Sequence, residues 1–181
     1  MKKILTLVGV ALLVTAPLAH AQLGTSTGTT TVTVAPVAEA ALNITNGSTP
    51  LISSGTNFTN YTGSTGLTYF IRTTQSGGSG SITLKVTSDF SPANGPSVTT
   101  PPNTGDKLAY TCTLSGAGTA CTGSVTSSTS ASTSVATFGA DAHTATFPGG
   151  DTATTTWTLT NDPKYKTGSY TATVTFTISA S

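Results

Sequence analysis

Gly168-Ser-Tyr-Thr-Ala-Thr-Val-Thr-Phe-Thr-Ile-Ser179 is the stretch whose reading decides the fold. Tyr170, Ala172, Val174, Phe176 and Ile178 share one parity, and Thr171, Thr173, Thr175, Thr177 and Ser179 share the other. Side chains alternate across a β-strand, so the segment has one face for a core and one for water. The same pattern recurs upstream. Ala153, Thr155, Trp157 and Leu159 align within 152–160, Ile82, Leu84 and Val86 within 81–87, and Leu67, Tyr69 and Ile71 within 67–74. Short strands with turn residues every ~8–12 positions, and no stretch of helical period, predict an all-β chain. The expected fold is an antiparallel β-sandwich, Ig-like or Greek key, of roughly 8–10 strands.

Working outward, 67–74 and 81–87 flank Gln75-Ser-Gly-Gly-Ser-Gly80 and read as a hairpin. Segments 134–138 and 144–147 read as further short strands, and 152–160 as the partner of the closing strand. The proline-rich stretch 91–106 admits no strand. Segment 46–66 reads as a polar connection, and 38–44 as extended, because Pro36 and Asn46-Gly47 flank it.

The N-terminus carries a basic pair, Lys2 and Lys3, then an apolar run from Ile4 to Ala16 and Ala19-His20-Ala21. This is the pattern of a signal peptide over residues 1–21. The expected mature chain, 22–181, is a single sandwich domain behind a flexible leader, with no further run able to span a membrane. The expected location is outside the cytoplasm of a bacterium: periplasmic, cell-surface or secreted.

Charged residues make up 7% of the chain, far below the roughly 25% of ordinary soluble domains. Ser and Thr fill the gap, at about one residue in three. Beyond the signal, Arg72, Lys85, Lys107, Lys164 and Lys166 stand against Glu39, Asp89, Asp106, Asp141, Asp151 and Asp162. No basic stripe exists for counterion release, which sets nucleic acid aside as a partner. Cys112 and Cys121 are the two cysteines; in an exported chain they read as a disulfide. The Gly-rich residues between them suggest a hairpin, 107–114 against 120–126, stapled across neighbouring strands.

No enzyme is expected. His143, the lone histidine beyond the signal, has no G-x-S-x-G elbow to serve, and the carboxylates are scattered singly. No cofactor or metal is expected either. An internal isopeptide crosslink is a remote option, disfavoured at Lys85 by that residue's outward parity.

The segment from Trp157 to Ser179, with its Gly-x-Tyr-x-x-x-Val-x-Phe pattern, resembles the closing strands of spore-coat-U-like and fimbrial subunits and of WxL-type cell-wall domains. Thr29-Thr-Thr-Val-Thr-Val-Ala-Pro-Val37 is similar to the exchanged N-terminal strand of pilin-like subunits. The chain departs from the first pattern at Ala40, Ala41 and Leu42, where a cysteine is usual. It departs from the WxL pattern at Phe176-Thr-Ile178, where a second Trp-x-Leu is needed.

Two readings of function follow. One is a structural surface subunit of a pilus-like or matrix assembly, which self-associates or joins other surface proteins through Thr31, Val32, Thr33 and Val34. The other is a monomeric adhesion or carbohydrate-binding module, its ligand-facing aromatics being Phe58, Tyr61, Phe70 and Tyr165, its partners glycans.

Overall fold

The computed structural model describes residues 27–55 and 57–181, so the expected signal peptide and the first residues of the leader lie outside the described part. Contacts divide the chain into two portions, with the boundary between Val34 and Ala35. Residues 27–34 carry no strand pairing and are exposed throughout.

From Ala35 onward the chain forms nine strands: β1 (Glu39–Ile44), β2 (Tyr61–Arg72), β3 (Gly80–Ser91), β4 (Leu108–Ser115), β5 (Thr119–Ala120), β6 (Val125–Thr126), β7 (Thr133–Phe138), β8 (Asp151–Leu159) and β9 (Thr171–Ala180). They build two antiparallel sheets, one in the order β1-β2-β8-β4-β6 and the other β5-β7-β3-β9. The fold is the expected all-β sandwich. Among the described residues no helix is long and apolar enough to cross a membrane.

The parities hold. Leu67, Tyr69, Ile71, Ile82, Leu84, Val86, Ala153, Trp157 and Leu159 are all buried, joined by Leu108, Tyr110, Val135 and Phe138. Tyr69 packs on Phe138 at 5.5 Å between ring centroids, and Tyr110 on Trp157 at 5.4 Å. The two core phenols, Tyr69 and Tyr110, each find an acceptor, since an unpaired hydroxyl in such a core is costly. Tyr69 donates to the Ala117 carbonyl, and Tyr110 reaches across the sandwich to Ser134 O at 2.8 Å. Burial, followed by the charge of Asp151, pushes the Tyr69 hydroxyl up to about 12.

The pairings differ from the expectation. Apart from β1–β2, every connection passes from one sheet to the other. Strands β2 and β3 are therefore not a hairpin: β2 lies between β1 and β8, and β3 between β7 and β9. Strand β9 pairs with β3 and not with β8. The physical reason is common to both cases. Two strands that each bury one face satisfy that pattern equally well side by side or facing each other across a core.

The disulfide forms between Cys112 and Cys121; the ends of the expected hairpin do pair, Ala109 with Thr126 and Tyr110 with Val125, but Cys121 itself is not opposite β4 in the sheet. Strand β4 belongs to the five-stranded sheet, while Cys121 follows β5 and donates its N–H to Val135 O of β7. The bond ties the two sheets together. Gly116 (φ +122°) and Gly118 (φ +102°) turn the chain between them, in a region that L side chains disfavour.

Two other expectations are corrected. Segment 144–147 is not a strand; only His143 forms an isolated bridge, to Arg72, and Phe147 is 87% exposed. The segment 29–37 is also not a strand. The first strand begins at Glu39, where Arg72 fastens the chain by donating to Val37 O and Glu39 Oε2. Val32, Val34 and Val37 meet no partner strand there and stay exposed. Segment 38–44 is extended as expected, and β2 starts earlier than expected, at Tyr61.

Candidate functional site: an open groove beside the last strand

Among the described residues strand β9 has a neighbour on one side only, so the backbone groups along its other edge have no ladder partner there. Its apolar side chains Ala172, Val174, Phe176 and Ile178 are half-buried, whereas Ile82, Leu84 and Val86 on adjacent β3 are at 0–1% exposure. Parity alone would have placed both sets equally deep. The difference is one of cover.

The opposite sheet supplies that cover through β1, which stops at Ile44. Beyond Ile44 the chain swings out: Gly66 O of β2 accepts one bond from Thr45 N–H, and Thr62 exchanges a pair of bonds with Ile52 at an isolated bridge. A groove of about 980 Å³ opens there, against Thr171–Val174 and Phe176 of β9. Trp157, Leu159 and Thr65 form part of its lining, with Ile44, Leu51 and Phe90. Two register shifts in the β3–β9 ladder, at Val86/Ser88 and Ser88/Ser91, add bend and twist beside it.

Three of the four expected ligand-facing aromatics, Phe58, Tyr61 and Tyr165, line this one groove together with Tyr170. Phe70 does not; it sits edge-on to exposed Phe147, with ring centroids 6.2 Å apart. Tyr165 has a buried hydroxyl without a hydrogen-bond partner. Burial, then the charges of Asp106 and Asp162 and the nearby Tyr61, push that hydroxyl up to about 12.

Near this end lies a polar knot. Asp106 and Asp162 are both buried and share a hydrogen bond. Burial, then that bond, raises the Asp106 carboxyl above its ordinary value. The Lys164 N–H, donating to Asp162 Oδ1 at 2.7 Å, helps hold Asp162 below its own. Asn103 donates its Nδ2–H to Asp162 Oδ2, and Lys164 Nζ donates to Asn103 Oδ1 at 2.6 Å.

The remaining expected sites are apart. Thr31, Val32, Thr33 and Val34 are exposed and unpaired. His143 is exposed, its Nδ1 2.8 Å from Asp141 O, with neither a carboxylate nor a hydroxyl on its ring. Among the described residues no group of three or more His, Cys, Asp or Glu side chains could hold a metal ion. Sequence reasoning missed the groove, whose lining comes from segments more than a hundred residues apart, and the Asn103–Lys164 contact, which spans 61 positions. No family model, curated protein or solved structure matches this chain.

Proposed function

We propose that this chain is a subunit of an extracellular structural assembly, in which the N-terminal arm of one copy adds a strand to β9 of the next. The observation that carries this reading is the half-covered apolar face of β9, along an edge without a ladder partner. The arm has the complementary form. Val32 and Val34 alternate with Thr31 and Thr33, and are 88% and 81% exposed. Strand addition gives many backbone hydrogen bonds, while alternate side chains fill the groove.

Length favours a second copy over the chain's own arm. The arm enters β1 at Glu39, whereas the groove begins beyond Ile44. An arm returning to its own groove would retrace β1, roughly 17 Å at 3.4 Å per residue. That path uses up Val34 and Val37 before the groove is reached.

The test is sedimentation of the mature chain beside a variant lacking residues 22–38. Wild type should form concentration-dependent oligomers or filaments visible in negative stain, and the truncated chain should stay monomeric. An unchanged sedimentation profile after truncation refutes the reading. The gathering of Phe58, Tyr61 and Tyr165 in one groove supports a second reading, a monomeric glycan-binding module. That reading expects a monomer at all concentrations, with glycan-array binding lost in Phe58→Ala and Tyr61→Ala.

A further inference from the structure

We propose that Lys164 and Asn103 become joined by an intramolecular isopeptide bond, with Asp162 and Asp106 delivering the proton that the leaving group needs. The three elements of such a reaction are in contact. The Lys164 amine is 2.6 Å from Asn103 Oδ1. A carbonyl is ~1.23 Å long, so Nζ is within ~3.8 Å of the carbonyl carbon, close to attack distance. On the other side of the same amide, Nδ2 is hydrogen-bonded to Asp162 Oδ2, and Asp162 is hydrogen-bonded to Asp106.

Each part has a role that balances. The sequence of steps starts with one proton leaving the Lys164 side chain for solvent. The Nζ lone pair forms a bond to Asn103 Cγ, and the carbonyl electrons move onto Oδ1. Nζ then loses its second proton to solvent. Asp162 passes the proton it shares with Asp106 to Nδ2, the electrons on Oδ1 re-form the carbonyl, and the Cγ–Nδ2 bond breaks. Ammonia departs with that proton, and the carboxyl pair is reprotonated from water. The net change is ammonium side chain plus carboxamide giving a secondary amide plus an ammonium ion, with no oxidant, reductant or cofactor.

The location fits a staple. Asn103 lies in the connection before β4 and Lys164 in the connection before β9, so the bond would fasten together two loops that no ladder joins. Burial and the contact with Asp162 raise the Asp106 carboxyl above its ordinary value, which favours a proton within the carboxyl pair whose Asp162 member touches Nδ2.

Intact-mass spectrometry of the folded mature chain, after incubation at mildly alkaline pH, tests this. The expected mass is one ammonia below that of the disulfide-bonded sequence, and Lys164→Arg restores the full mass. Proteolysis should release a branched fragment joining the Asn103 and Lys164 peptides that survives reductant. Full mass in the wild type overturns the proposal. So does an ammonia deficit that persists in Lys164→Arg, because that points to a succinimide at Asn103 or a cyclised N-terminal glutamine. Lys164 is exposed and Arg keeps its charge, so the variant should fold.

Discussion

Replacing Thr65 by Val tests the core beneath the groove. Trp157 and Thr65 are 4% and 5% exposed, and the indole N–H donates to Thr65 Oγ1 at 2.9 Å. Thr65 Oγ1 is also 2.7 Å from Thr49 Oγ1, so the hydroxyl sits in a short chain of bonds. Valine has nearly the same shape but no acceptor, which leaves a buried donor unpaired. That costs about 1–3 kcal/mol, and the added methyl returns under 1 kcal/mol. A net loss of about 1.5 kcal/mol is expected. Trp157 is the chain's single tryptophan, so its fluorescence in a urea titration reports on this site directly. With a slope of about 2 kcal/mol/M, the midpoint should fall by about 0.7 M. Thr65→Ser keeps the acceptor and should lose only about 0.8 kcal/mol for the missing methyl. A Thr65→Val midpoint at or above wild type, or one above Thr65→Ser, refutes the reasoning.

Three further outcomes are expected. Asp89 accepts hydrogen bonds from Phe90 N, Ser97 Oγ, Val98 N and Thr99 N. Burial works to raise its carboxyl, but these four donors outweigh it and hold the value at about 2, against an ordinary 3.8. A depressed carboxyl contributes stability above its unfolded value, and that stability is lost as pH falls toward 2. Asp89→Asn should therefore cost about 1 kcal/mol at pH 7, after solvent screening, and less near pH 2, as read by denaturant titrations at both pH values. Gly95→Ala would place a Cβ 2.2 Å from Tyr170 Cε1, forcing the ring away from the groove. A loss of about 1–3 kcal/mol in thermal unfolding, with weaker oligomerisation, is expected. Removing both Cys112 and Cys121 opens a short covalent loop and should cost about 2–3 kcal/mol, matched by reductant on the wild type.

Which face of each strand meets the core was legible in the sequence, because parity is a local property. Ala153, Thr155, Trp157 and Leu159 fall where the alternation puts them. Which strand pairs with which was not legible. The Gly-rich segment 75–80 looks the same whether it joins neighbours or passes from sheet to sheet, and Cys112–Cys121 raised the same ambiguity. The half-burial of Val174 and Phe176 was equally hidden, since it depends on where β1 ends. Phe58, Tyr61 and Tyr165 were singled out one by one for exposure; only the fold brings them into one groove. The contact of Lys164 with Asn103 spans 61 positions and has no local signature.

The alternation of strands between sheets has a kinetic consequence. A chain made N-terminus first presents β2 and β3 long before β8 and β9, the partners with which they form long ladders. Apart from β1 and β2, neighbours in sequence cannot shelter each other by zipping into hairpins, and non-local pairing of this kind folds slowly. During that interval the apolar edges of β2 and β3 stay open to any other strand nearby. Such a topology makes the wait for β8 and β9 the interval in which mispairing between copies is most favoured.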